Sequence, residues 1–190
     1  EGLNTFVQYL TEQEWDHDNP SRRGPADKIV PYMSGPKEQI VPIMTNSESI
    51  LQFGNNAYGK PATALNILRE TVMGRELFDY AFKEYSRRWA FKHPTPADLF
   101  RTMEDASGVD LDWFWRGWFL EDALLDQAID DVRISGRGAR ITFINKERMV
   151  MPITFEVEFE DGSKETQRLP VEIWFKSNRV VHTVKSEKEI

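Results

Sequence analysis

The spacing of the apolar residues changes near residue 126, and this change limits the folds available to the chain. Before it, apolar residues recur every three or four positions, as at Leu65, Leu68 and Val72, which is the period of an amphipathic helix. After it, the stretch ITFEVEFEDGSKETQRL alternates apolar and polar residues and contains Asp161-Gly162, which is typical of a β-hairpin. The pattern therefore predicts an α+β chain in which a helical part precedes antiparallel strands.

Two domains are predicted from this division. Residues 1–126 form the helical domain and include a long loop at 15–49, which carries five prolines and no sustained period. Residues 127–190 hold about five strands, and because each strand has one apolar face that needs a second layer, we expect a small β-sandwich-like domain. Its charged end, KSEKEI, suggests a domain truncated before its final strand.

Composition excludes several classes of protein and of site. The chain has 190 residues, 40% of them hydrophobic and 12% aromatic, which favours a folded chain over a disordered one. A net charge of −7 opposes binding to the phosphates of nucleic acid. With no cysteine there are no disulfides or thiolate metal sites, and no apolar run reaches the roughly 20 residues of a transmembrane helix. Oligomeric state stays open.

Local signals predict where several helices begin and end. Gly74 follows an apolar-periodic segment and predicts a helix end. Thr95 and Gly108 are expected to cap the two ends of another helix, and a further helix is expected to begin at Asp110. The three histidines, His17 in WDHD, His93 and His182, are expected to have structural or exposed-loop roles and not to bind a metal. Core packing is favoured over a stacking role for Trp113, Trp115 and Trp118.

The first ten residues, EGLNTFVQYL, have the apolar spacing of a helix that begins at or just after Glu1. The chain has no initiator methionine before this helix. We therefore expect the chain to be a piece of a longer protein. By itself, Glu1 is an ordinary surface glutamate.

Tyr58 lies in GNNAYGKPATALNIL, which is predicted to be a polar, glycine-flanked turn followed at once by a buried helix. A phenol at a helix N-terminus with its hydroxyl free is suited to donating a hydrogen bond to a developing oxyanion. The same sequence is explained equally well by a structural role, in which a tyrosine in a turn packs its ring and exposes its hydroxyl to solvent.

A resemblance to a known family combines these features. EGLNTFVQYL, YGKPATALNILRE, HPTPADLFRTME and SGVDLDWFWRGWF, in this order and followed by the β-rich segment, resemble the C-terminal part of the aminopeptidase N-like zinc metallopeptidases, which are gluzincins. The resemblance covers nearly the whole chain. It implies the helical C-terminal part of a thermolysin-like catalytic domain, followed by a β-sandwich-like domain.

The same resemblance implies two site residues. Glu1 matches the third zinc ligand of the family, downstream of an H-E-x-x-H helix that this chain lacks. Tyr58 matches the tyrosine that stabilises the tetrahedral intermediate. Lys60 matches a motif position without an assigned role, and Pro61 stands where many members have glycine.

The function implied is that of a fragment of a zinc-dependent metallopeptidase, an aminopeptidase that hydrolyses peptide substrates with a zinc-activated water. Without H-E-x-x-H, the fragment alone is expected to be inactive and not to bind zinc tightly. An extracytoplasmic parent is favoured. The alternative is a non-catalytic relative in which the same domains serve as a binding or scaffolding module, since core residues such as Trp115 serve packing in either case.

Overall fold

The computed structural model describes residues 1–18 and 20–190 and shows an α+β chain. The chain divides into two compact units, Glu1–Asp122 and Ala123–Ile190. The first unit is helical, and the second is built of antiparallel strands.

The helices of the first unit, in chain order, are α1 (Gly2–Trp15), α2 (Val30–Met33), α3 (Lys60–Ile67), α4 (Arg75–Trp89), α5 (Pro96–Ser107) and α6 (Asp112–Trp115). Wider π-helical turns occur at Gly54–Gly59, Leu68–Met73 and Arg116–Leu120, and 3₁₀ turns at Ala26–Ile29 and Lys37–Gln39. The predicted loop 15–49 therefore contains short helical turns, apart from Asn19, which lies outside the described residues. Among the described residues, no helix is both long and apolar enough to cross a lipid bilayer.

Aromatic side chains join α1 to α4 in the core of the first unit. The ring of Phe6 is fully buried and meets Phe78 edge-on, with 5.5 Å between ring centroids, and Phe82 at 5.6 Å. Phe78 and Phe82 are themselves stacked one helical turn apart. Burial of such rings is a large favourable term, so this cluster fixes α1 against α4.

Both predicted caps of α5 are confirmed. The backbone N–H of Thr95 donates to the carboxylate of Asp98 at 2.7 Å, which is half of a capping box, and Pro96 occupies the first turn. At the other end Gly108 adopts a left-handed conformation with φ of 69°, which suits glycine. Gly74 likewise separates the π-helical segment Leu68–Met73 from α4, as predicted.

The helix expected to begin at Asp110 begins two residues later. The carboxylate of Asp110 accepts the backbone N–H of Asp112 at 3.0 Å, so Asp110 closes a turn before the helix instead of joining it. The chain then passes from α6 into the π-helical turn at Arg116–Leu120. Trp115 and Trp118 are buried, which confirms their expected packing role.

The second unit contains β1 (Gln127–Ser135), β2 (Gly138–Asn145), β3 (Ile153–Glu158), β4 (Lys164–Leu169) and β5 (Arg179–Lys185), with a 3₁₀ turn at Val171–Trp174. One antiparallel sheet has the order β1-β2-β5, and β3 pairs with β4 in the other. The predicted hairpin turn is confirmed, since Gly162 has φ of 78° between β3 and β4. The ring of Phe155 on β3 contacts Phe143 of β2 and His182 of β5, so the two sheets meet at these side chains.

A β-bulge interrupts the edge strand β1. Ile129 pairs with Phe143 and Asp131 with Thr142, which leaves Asp130 as the extra residue. Asp130 instead forms an ion pair with Arg179 of β5. Because of the bulge, Ile129 and Val132 lie on the same face of the sheet although they are three residues apart.

Candidate functional site

The start of α1 lies against the start of α3. A Cβ atom added to Gly2 would lie 2.4 Å from Cβ of Pro61, a separation that real side chains do not adopt. Glycine at position 2 therefore permits the close approach of the two helices. Pro61 lies in the first turn of α3.

Glu1 is the N-cap of α1, and its side chain is exposed. Its backbone carbonyl accepts the N–H of Thr5 at 2.9 Å and the hydroxyl of Thr5 at 3.2 Å. Its carboxylate has no hydrogen bond or ion pair with any described residue. The carboxylate of Glu1 is therefore available to a group from outside the described chain.

Glu1 lines a cavity of about 540 Å³, which we call the apolar cavity. Leu3, Phe53, Ala57 and Pro61 are among the residues that line it, so the start of α1 and the segment around Tyr58 share one wall. Its volume falls within the range of small-molecule sites.

Tyr58 lies in a helical backbone, which corrects the predicted polar turn. The π-helical turn Gly54–Gly59 runs directly into α3. Pro61 has no N–H to donate back to this turn, which is a physical reason for the break in the regular helical ladder at this point. π-Helical turns occur frequently at functional sites.

The half-buried ring of Tyr58 lies between two neighbours. Phe53 meets it edge-on at 5.7 Å between centroids, and the guanidinium carbon of Arg23 lies 4.9 Å from its centre. Within the described part of the chain, the Tyr58 hydroxyl has no hydrogen-bond partner. The ring is therefore held in place while its hydroxyl is free to donate.

Lys60, two residues after Tyr58, has a side chain that is 0% exposed. Its ammonium group donates to the carbonyl of Val41 at 3.4 Å, a long hydrogen bond. Burial lowers the pKa of Lys60 from 10.5 to about 8, and the nearby charge of Asp122 partly opposes this change. Nothing in the local sequence distinguishes Lys60 from a surface lysine, although its neighbours from Gly59 to Ala64 are all buried.

An acidic cluster that sequence reasoning missed lies between α5 and α6. Carboxylate oxygens of Glu104, Asp110 and Asp112 lie within 4.8 Å of one another. Burial raises the pKa of Glu104, as do the two neighbouring aspartates, although its carboxylate also accepts the backbone N–H of Leu111 at 3.0 Å. An all-oxygen set suits hard cations such as Ca²⁺ better than zinc.

The structure therefore brings the surroundings of Glu1 and Tyr58 together through Gly2 and Pro61. It does not bring histidine to them, because none of His17, His93 and His182 is among the described residues lining the apolar cavity. Catalytic zinc sites use three protein ligands. Among the described residues that line the apolar cavity, Glu1 is the only one with a carboxylate, and no histidine accompanies it.

Comparisons with known proteins point to aminopeptidases. The chain is 25% identical over 125 residues to a protein named "Probable aminopeptidase 1" from Sulfurisphaera tokodaii, a match covering 63% of this chain and 15% of that protein. Its fold is similar to part of aminopeptidase A of Legionella pneumophila, crystallised in complex with aspartic acid, with a TM-score of 0.62 and 16% identity. That match covers 97% of this chain and 21% of the Legionella chain. No protein-family model matches the chain. The chain thus spans about a fifth or less of these two relatives, and it is similar to one part of an aminopeptidase.

Proposed function

We propose that this chain is the C-terminal part of the catalytic domain of a zinc-dependent aminopeptidase, together with the domain that follows. In this proposal residues 1–126 belong to a thermolysin-like catalytic domain of the aminopeptidase N-like type. Residues 127–190 form a β-sandwich-like domain. The substrate is a peptide with a free amino terminus, and the reaction is hydrolysis of its first peptide bond.

The contact between Gly2 and Pro61 is the observation that supports this proposal most strongly. It holds the residue next to Glu1 against a residue three positions after Tyr58, at one cavity. Both functional groups are without partners among the described residues. A free carboxylate at Glu1 and a free phenol at Tyr58, whose neighbours Gly2 and Pro61 touch, are suited to acting on a common bound group.

The roles of the two residues follow from their chemistry. Glu1 supplies one carboxylate ligand, and the remaining ligands come from outside this chain. Zinc, when bound, would supply an activated water and polarise the peptide carbonyl. The Tyr58 hydroxyl donates a hydrogen bond to the oxyanion that develops on that carbonyl, a contact worth about 3 to 4 kcal/mol in comparable sites. Phe53 and Arg23 restrict the ring, so the hydroxyl is positioned before the reaction.

The full-length protein that contains this chain provides the test. Tyr58→Phe should lower kcat on a dipeptide by about 100-fold or more and leave the zinc content unchanged. Glu1→Gln should lower zinc content, measured by elemental analysis after dialysis. Tyr80→Phe is the matched control because Tyr80 is 60% exposed on α4, and it should change neither quantity.

Two results would contradict the proposal. Full activity in Tyr58→Phe would remove the role of the phenol, and tight one-to-one zinc binding by the isolated chain in calorimetry would contradict the need for ligands from outside it. A full-length protein that holds no zinc and cleaves no peptide would support the scaffolding alternative instead.

A further inference from the structure

The segment Pro20–Gly24 is fixed to α1 on both sides of a pair of arginines. On one side the hydroxyl of Ser21 donates to the carboxylate of Glu12 at 2.6 Å and accepts from the side-chain amide of Gln13 at 3.1 Å. On the other side Gly24 has φ of 110°, and a Cβ there would lie 2.5 Å from Cγ of Tyr9. The backbone at Arg22 and Arg23 is therefore held between two anchored neighbours.

Arg23 contacts the ring of Tyr58 and donates no hydrogen bond within the described part of the chain. The guanidinium carbon lies over the Tyr58 ring, 4.9 Å from its centre, and a Cβ on Gly54 would lie 3.3 Å from Nη2. A guanidinium carries five N–H donors in a planar fork and can pack against an aromatic ring while donating to other groups. No carboxylate or carbonyl of the described residues accepts from Arg23.

Arg23 also lines a second cavity, of about 600 Å³, which we call the polar cavity. Thr5 lines it as well, and Thr5 donates to the backbone carbonyl of Glu1, so the polar cavity adjoins the start of α1. Among the described residues that line it, the carboxylate of Glu12 is occupied by hydrogen bonds from Ser21 and Gln8. These bonds lower the pKa of Glu12 and keep it ionised and bound to them.

We propose that Arg23 binds a carboxylate of the peptide substrate and thereby selects acidic or carboxyl-terminated peptides. This inference rests on the proposed function, because it assigns Arg23 a place beside the phenol of Tyr58. An arginine with its donors free forms two parallel hydrogen bonds to a carboxylate, which fixes both the position and the orientation of the bound group. In a chain of net charge −7, Arg23, which has no acidic partner among the described residues, is a local attraction for an anionic ligand.

The carboxylate has two sources, and substrates distinguish them. The full-length protein is assayed on Ala-Ala, Ala-Ala-amide and Ala-Glu-amide. Preference for Ala-Ala over its amide identifies the substrate carboxyl terminus, and preference for Ala-Glu-amide over Ala-Ala-amide identifies an acidic side chain. Arg23→Met should lower kcat/KM for the preferred carboxylate substrate by roughly tenfold or more and change that for Ala-Ala-amide by less than about threefold.

Arg22→Met is the matched control. Arg22 is the adjacent exposed arginine and contacts no aromatic ring among the described residues, so its replacement should preserve the substrate preference. Arg23→Lys keeps the positive charge but loses the two parallel donors. Its preference for the carboxylate substrate should therefore lie between those of the unmodified protein and of Arg23→Met. Equal losses on all three substrates in Arg23→Met, or equal effects of the two Met variants, would overturn the assignment.

A titration of the 190-residue chain separates this inference from the proposed function. The Nε–H resonance of Arg23 should shift in NMR spectra when N-acetylalanine is added, and should not shift with N-acetylalanine amide. If the full-length protein cleaves none of the three peptides, the proposed function fails and this titration still decides the role of Arg23. An unchanged Arg23 resonance in the presence of N-acetylalanine would refute it.

Discussion

Arg69 donates two parallel hydrogen bonds to Asp79, from Nε at 2.7 Å and from Nη2 at 2.9 Å. This bidentate pair ties the π-helical segment Leu68–Met73 to α4 across the chain reversal at Gly74. Hydrogen bonding from Arg69 lowers the pKa of Asp79 below its ordinary value of 3.8. The ion pair therefore stabilises the folded chain fully at pH values above the pKa of an unfolded aspartate. This stabilisation is lost as the pH falls through the lower pKa that Asp79 has in the folded chain.

Asp79→Asn should consequently lower the free energy of unfolding at pH 7 by about 1 kcal/mol, a small effect because the pair is partly exposed to solvent. The difference from the unmodified chain should shrink on acidification below pH 4. Urea unfolding at pH 7 and pH 3 measures the loss of stability at neutral pH and its decrease at acidic pH. Asp105→Asn, at an exposed site on α5, should show no such pattern.

Lys60→Met should change the alkaline dependence of stability. The pKa of Lys60 is about 8 in the folded chain against an ordinary 10.5, so between these values the unfolded chain binds a proton that the folded chain does not. The free energy of unfolding therefore rises with pH across this range, by at most about 3 kcal/mol. The methionine variant should lose this rise in stability. It should be at least as stable as the unmodified chain at pH 7, because methionine replaces a buried charged group with an uncharged side chain of similar volume.

The measurement for Lys60 is thermal or denaturant unfolding at pH 7, 8.5 and 10. Lys92→Met is the control because Lys92 is exposed after α4. A Lys60→Met variant that keeps the alkaline rise would show that another group produces it.

Gly2→Ala should destabilise the contact between α1 and α3. The added methyl group would meet Pro61 at 2.4 Å, and the ring of a proline cannot rotate away. We expect a loss of about 1 to 3 kcal/mol in the free energy of unfolding. Gly138→Ala is the comparison, because a Cβ there meets its nearest neighbour at an ordinary 3.5 Å. Equal stability of the two variants would mean that the helices separate without loss.

Phe6→Ala should remove the ring that joins α1 to α4. Phe6 is 0% exposed and touches two rings, so the expected loss is about 3 to 5 kcal/mol. Val7→Ala, on the same helix but 44% exposed, should cost less than about 1 kcal/mol. Denaturant unfolding followed by tryptophan fluorescence compares the two, and similar losses would contradict the packing described for Phe6.

Features set by neighbouring residues in the sequence were predictable. The caps at Thr95 and Gly108 and the hairpin turn at Gly162 each depend on a few adjacent residues, whose side chains and permitted φ values determine the local structure. The burial of Trp115 and Trp118 followed from helical spacing in the same way. The division of the chain into helical and strand-forming parts rests on the period of the apolar residues, which is also a local property.

The surroundings of the candidate site were not predictable by such reasoning, because they depend on contacts between distant parts of the chain. Lys60 donates to the carbonyl of Val41 and is affected by the charge of Asp122, and Arg23 contacts Tyr58, which is 35 positions away in the sequence. The π-helical backbone at Tyr58 was also missed, since glycine and asparagine residues there are typical of a turn. The roles of Glu1 and Tyr58 came from family resemblance and stay predictions.

The bulge at Asp130 has a consequence for the unpaired side of β1. Apolar side chains at Ile129, Val132 and Ile134 are exposed on this edge strand, which would ordinarily invite another extended chain to continue the sheet. The extra residue interrupts the row of backbone donors and acceptors midway, so an incoming strand finds matching partners along only half of its length. The irregularity thus acts as a barrier to fibre-like self-association in a part of the molecule whose surface chemistry would otherwise favour it.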